Sequence, residues 1–108
     1  SPAFREVFDR ADLIISKAGG LIVTESLASG LPLMLVHVLP GQERGNVDYV
    51  LGHNAGAQCE TPEEALKTLT NWLANDRKAL REIAENAEIA GNADAAGRIA
   101  EIAWNLLA

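Results

Sequence analysis

Between positions 17 and 43 the sequence sets out Lys17, the pair Gly19-Gly20, Glu25 and the pair Gln42-Glu43, all residue types that can hold a polar ligand. Glycines let a backbone approach a ligand closely. Ahead of a helix they also leave the free N–H groups of its first turn open to an anion such as phosphate. Two adjacent glycines equally serve a plain strand-to-helix turn. Glu25 falls about one turn into the following helix, too late to cap it. It is either a solvated carboxylate or the acceptor of two hydrogen bonds from a ribose diol, worth roughly 1.5–3 kcal/mol each to a charged group. Gln42 and Glu43 are ordinary loop polarity or partners for a polyhydroxylated ligand. Lys17 would offset phosphate charge, or snorkel from a strand end. His37 lies in an apolar run and is expected as a packed core histidine; Trp72 and Trp104, at helical core spacing, read as structure. The sequence contains neither GxGxxG nor a P-loop, so dinucleotide binding and ATP hydrolysis have no support.

The elements that must position these residues follow from periodicity. Phe4, Val7 and Phe8 suggest a short helix over 2–10, with Pro2 in its first turn. Residues 13–16 form a short apolar run that reads as a buried strand, broken by the turn 17–20. Residues 21–29 contain Ile22, Val23 and Thr24, which suit a strand. Helical spacing of Leu21, Glu25 and Ala28, a C′ glycine at Gly30 and Pro32 just beyond decide for helix. Residues 31–38 are nearly all apolar, the mark of a strand covered on both faces. Strand, helix, strand gives a right-handed βαβ unit. A polar loop over 39–44, a helix over 46–51 closed near Gly52, and a third parallel strand over 56–59 come next.

Thr61-Pro62-Glu63-Glu64 combines an N-cap, a first-turn proline and a capping box. That helix should run to Ala74 and bury Leu66, Leu69, Trp72 and Leu73. Asp76 should cap another, with Leu80, Ile83, Ala84 and Ala87 inward and Gly91 at its end. A last helix over 94–107 should bury Ile99, Ile102, Ala103 and Leu106. Three short strands and trailing helices are half of the usual doubly wound inventory. The fold expected is therefore α/β, a Rossmann-like half-domain. In an open parallel sheet ligands bind outside the carboxyl ends of the strands, which puts the 17–20 turn and the 39–44 loop on one rim.

Composition narrows the function. The chain has 108 residues, 48% of them hydrophobic, enough for one core. A formal net charge of −6 argues against nucleic-acid binding, which needs a basic face, and there is no Lys/Arg cluster to hold an anionic bilayer. No apolar run approaches the ~20 residues that would span a membrane. One cysteine and two histidines make no protein-built zinc site, and no metal or cofactor is expected. The chain opens on Ser1-Pro2 rather than Met and is expected to be part of something longer.

KAGGLIVTESLASGLPLMLVHVLPGQERGNVDYVL resembles the C-terminal, donor-binding half of the family 28 glycosyltransferases of GT-B fold. Within that family it is most like the processive diacylglycerol glucosyltransferases and monogalactosyldiacylglycerol synthases. The peptidoglycan lipid N-acetylglucosaminyltransferases are more distant and lack the GQE triplet. The shared pattern is K-x-G-G-x-T-x-x-E-A-x-x-x-G-L-P, a strand, then P-G-Q-E-x-x-N. The resemblance implies that Glu25 holds the ribose of UDP. It implies that the turn at Gly19 and Gly20 and the backbone N–H groups of Gly20, Leu21 and Ile22 face the diphosphate. It implies that Gln42 and Glu43 bind the donor hexose, with Asn46 following in the same motif. Ile22 stands where the family often has threonine and Ser26 where it often has alanine.

By the same resemblance residues 1–108 would be a partial C-terminal domain that binds the UDP-sugar. The acceptor lipid, the catalytic base and the membrane-associating surface would belong to an N-terminal domain not contained in this chain. The whole would be a hexosyltransferase, cytoplasmic and peripheral on the inner face of a membrane, and the chain inactive alone. Two other readings stand beside it: a non-catalytic module that binds a nucleotide or supports a partner, and a small subunit that completes a transferase. A half-sheet also implies self-association through its open edge.

Overall fold

The computed structural model describes residues 10–39, 41 and 43–107. The helix expected over 2–10 lies, but for Arg10, outside the described residues, as does Gln42. Three parallel strands, β1 (Ile14–Ser16), β2 (Leu33–Leu35) and β3 (Gly56–Gln58), form a sheet in the order β1-β2-β3. Ile14 pairs with Leu33 and Leu33 with Gly56. Bonds from Ile14 N–H to the Pro32 carbonyl and from Val36 N–H to the Ser16 carbonyl, each 2.9 Å, extend the first ladder past its assigned ends. The α/β half-domain is the one its sequence implied, with shorter strands: the apolar run over 31–38 gives three strand residues.

β2 is fully buried and alternates as a strand must. Leu33 and Leu35 face one core with Val23, Leu27, Val47 and Val50, contributed by α1 (Gly20–Ala28) and α2 (Arg44–Gly52). Met34 faces the other with Cys59, Trp72 and Leu80. α1 buries Val23, Ser26 and Leu27 while Leu21 and Ala28 are exposed, so the helix is the expected one turned to a different face. It ends as a Schellman motif: Gly30 has φ +67, Gly30 N–H reaches the Leu27 carbonyl at 3.0 Å and Leu31 N–H the Ser26 carbonyl at 2.9 Å. α2 ends the same way with Asn54, at φ +52, where a glycine is usual. It begins two residues earlier than its sequence suggested.

α3 (Pro62–Leu107) carries the expected cap, with Thr61 Oγ1 accepting Glu64 N–H at 3.1 Å and Glu64 Oε2 accepting Glu60 N–H at 2.7 Å. It is broken at residues 74–77, where Asn75, Asp76 and Arg77 are left-handed. Asp76 is therefore part of a left-handed turn and not an extended N-cap. The segment before the break covers the Met34 face through Trp72. The segment after it starts on that face at Leu80 and crosses to the other at Ala87 and Ala90.

Three expectations for this region change. Leu66 and Leu73 are exposed, because one face of the first segment meets the sheet and these lie off it. Gly91 does not end a helix: it sits in mid-helix against α1, where a methyl group would run into the Leu27 carbonyl. No separate last helix exists, and Ile99, Ile102, Ala103 and Leu106 are exposed, with Trp104 at 74%. Periodicity marks an apolar face and says nothing of what stands opposite it.

Candidate functional site

β1 ends at Ser16 and the chain passes through exposed Lys17 and fully buried Ala18 to Gly19, which is extended (φ −65, ψ 146) and forms the N-cap of α1. The Gly19 carbonyl accepts Val23 N–H at 3.0 Å, the first helical bond of α1. The N–H groups of Gly20, Leu21 and Ile22 thus have no helical partner. No side chain caps this end and no acidic residue lies in its first turn. The partial positive charge of the helix terminus, about half an elementary charge, is therefore unopposed by the first turn itself. Neither glycine has positive φ. A Cβ built at Gly20 meets nothing within 4 Å, and one at Gly19 only Ile22 Cγ2 at 3.8 Å. Neither positive φ nor crowding requires a glycine at these two positions, and Gly19 serves as the N-cap.

The second loop leaves β2 through Val36 and His37. His37 is exposed and left-handed at φ +50, so it is not the packed core histidine expected; the strand stops at Leu35 and releases it onto the rim. Glu43 Oε1 accepts Leu39 N–H at 3.0 Å, closing the loop on itself and engaging one of the two carboxylate oxygens. Three residues on, Asn46 Nδ2 donates to the Ala18 carbonyl at 2.8 Å, joining the first turn of α2 to the glycine turn across 28 residues of sequence. Glu25 is half-buried on α1, and among the described residues no cation lies within ion-pair distance of it.

Of the residues singled out by sequence, Gly19, Gly20, Leu21 and Ile22 follow one another at the start of α1, and Asn46 is joined to that turn through the Ala18 carbonyl. Glu43 stands at the start of α2, Glu25 lies one turn along α1, and Lys17 stands in solvent before the turn. Neither of two clefts encloses the glycine turn or Glu25. One, of about 190 Å³, lies between α1, α2 and α3 and is lined in part by Thr24, Asn46, Tyr49, Asp94 and Arg98. The other, of about 170 Å³, lies at the ends of β2 and β3 beside His37, Cys59 and Thr61.

Arg98 escaped the sequence reading. Its guanidinium donates to Thr24 Oγ1 and pairs with Asp94, each at 3.1 Å, and a contact 74 residues apart leaves no local signal. Tyr49, whose hydroxyl donates to the Ala90 carbonyl at 2.8 Å, has its pKa raised by burial and then by the charge of Asp94. Among the described residues no group of three or more His, Cys, Asp or Glu could hold a metal ion, and no helix is long and apolar enough to cross a membrane.

Residues 1–101 match the model of the glycosyltransferase family 28 C-terminal domain. The chain is 42% identical over 76 residues to monogalactosyldiacylglycerol synthase 3, chloroplastic, of Arabidopsis thaliana, a match that spans 70% of this chain and 16% of that protein. It is 41% identical over 76 residues, with the same shares, to the probable monogalactosyldiacylglycerol synthase 2, chloroplastic, of Oryza sativa subsp. indica. Identity to monogalactosyldiacylglycerol synthase, chloroplastic, of Spinacia oleracea is 35% over 82 residues, spanning 76% of this chain and 16% of the relative. The chain thus matches about one-sixth of the length of these relatives.

Proposed function

This chain belongs to the glycosyltransferase family 28 C-terminal domain family, and from that premise we propose that it binds the UDP-sugar in an inverting, metal-independent transferase that moves glucose or galactose onto a membrane lipid such as diacylglycerol. The amides of Gly20, Leu21 and Ile22 take the diphosphate, Glu25 the ribose diol, and Gln42 with the free oxygen of Glu43 the hexose. In the reaction the acceptor hydroxyl oxygen bonds to the anomeric carbon as the bond from that carbon to UDP breaks. The hydroxyl proton goes to a base outside this chain. The departing electron pair stays on the β-phosphate, where the N-terminus of α1 stabilises it electrostatically. The acceptor domain completes the enzyme, which sits peripherally on the inner face of a membrane; residues 1–108 alone do not turn over.

The observation that supports this most is the glycine turn. Two glycines stand at a helix N-terminus, on a rim shared with a second polar loop, in conformations open to any residue and with space above them. The names of the relatives, all monogalactosyldiacylglycerol synthases, favour galactose and diacylglycerol. Self-association through β1, which pairs only with β2 among the described residues, belongs to the same proposal.

Calorimetric titration with UDP, UMP, UDP-glucose and UDP-galactose tests it. Glu25→Ala is expected to weaken UDP by on the order of a hundredfold or more, the value of two lost bonds to a charged acceptor, with an unchanged melting temperature. A variant that binds UDP like the parent would remove the ribose role. A parent that binds no UDP would remove the nucleotide reading, and transfer to diacylglycerol by this chain alone would remove the claim that the acceptor side lies elsewhere.

A further inference from the structure

We propose that Asn46 is a positioning residue: it fixes the glycine turn by holding the Ala18 carbonyl, and it does not touch the donor. A turn built on two glycines has no side chains with which to anchor itself, and here the space around them confirms the want of packing: only Ile22 Cγ2, at 3.8 Å, would touch a Cβ at Gly19. What locates the turn must therefore come from its flanks. On one side is the Ala18 methyl, fully buried among Val23, Leu27 and Leu35. On the other is the Ala18 carbonyl, which lies beyond the β1–β2 ladder. That ladder's last bond is from Val36 N–H to the Ser16 carbonyl. The Asn46 amide meets that carbonyl at 2.8 Å.

The peptide joining Ala18 to Gly19 is rigid, so holding its oxygen sets the direction in which the chain enters α1. The platform is itself firm. α2 is held by fully buried Val47 and Val50 and by the bond from the Tyr49 hydroxyl to the Ala90 carbonyl at 2.8 Å. With Glu43 latching its own loop to Leu39 N–H at 3.0 Å, the two rim loops form one connected frame. One of the two N–H donors of the Asn46 amide is engaged within that frame.

The inference rests on the nucleotide reading for its consequence in binding, and on the fold alone for its geometry, so the test has two arms. In the ligand-free chain, Asn46→Ala should move the backbone amide resonances of Gly19 and Gly20 and leave those of Leu33–Leu35 in place. In titrations it should weaken UDP and UDP-galactose by the same factor, about tenfold for one lost hydrogen bond. Asn46→Ser, which suits the first turn of a helix but is too short to reach Ala18, should do the same if the alanine variant does not fold. Unmoved Gly19 and Gly20 resonances would overturn the proposal. So would a variant that binds UDP normally and UDP-galactose poorly, since that marks direct contact with the hexose. If the parent binds no UDP the proposed function falls, and the resonances still decide the role of Asn46.

Discussion

Gly20 allows the fold and the proposed ligand role to be tested separately. Its would-be Cβ points into open space at the first position of α1. Alanine loses less backbone entropy there than glycine, so Gly20→Ala should hold or raise stability, by up to about 1 kcal/mol. The same methyl would stand between the first-turn amides and a diphosphate. UDP affinity should fall by about tenfold or more, the equivalent of one charged hydrogen bond. A melting curve and a titration on the same sample check both halves; a variant that binds UDP normally would show that the diphosphate does not approach this turn. At this scale the placement of Gly19 and Gly20 at a helix start and of Glu25 one turn on was legible beforehand, because turn and helix spacing are local features. Two things were not. His37 sits left-handed on the rim because β2 stops at Leu35, and an apolar run does not announce where pairing ends. The bond from Asn46 to Ala18 depends on where two loops meet, which spacing along the chain does not encode.

Among the elements, α3 departs most from its expected form, and the reason is the same at each point. Periodicity placed Leu80, Ala87 and Trp72 inward correctly because the sheet and α1 stand opposite them. It failed at Leu66, Ile99 and Leu106, where nothing described does. Gly91 illustrates the limit well, since a glycine in a helical pattern reads as a terminus when it marks a close crossing. The contrast with Gly97, whose Cβ would meet nothing within 4 Å, gives a paired prediction. Gly91→Ala should destabilise by roughly 1–3 kcal/mol, because backbone of α1 must move aside. Gly97→Ala should stabilise by up to about 1 kcal/mol through helix propensity alone. Urea unfolding of the two variants measures both; equal effects would mean that α1 and α3 do not cross at Gly91.

The molecule as a whole is longer than its size requires. Its Cα radius of gyration is 14.7 Å and its long dimension 50 Å, against roughly 13 Å for the radius of a compact chain of this length. Residues 95–107 are exposed, so that, apart from the Arg98 bond to Thr24, this stretch of α3 has only intrinsic propensity and its own hydrogen bonds to keep it helical. In hydrogen exchange its amides should open locally and exchange orders of magnitude faster than those of Leu33–Leu35. Protection equal to that of the central strand would mean that a second copy or another partner covers it in solution.

The break at Asn75–Arg77 gives the chain a further property. Three left-handed residues, at about 1–2 kcal/mol each relative to ordinary helix, let one element serve as the lid of both faces. After the break the buried contacts with the cores run through Leu80, Ala87 and Ala90, with Ala79 and Ile83 packed beside Leu80, and Arg77 is exposed. Cut there, the chain is expected to give a sheet-bearing piece and a helical piece that cover both faces again only when they rebind, which size-exclusion chromatography of the two pieces mixed would detect.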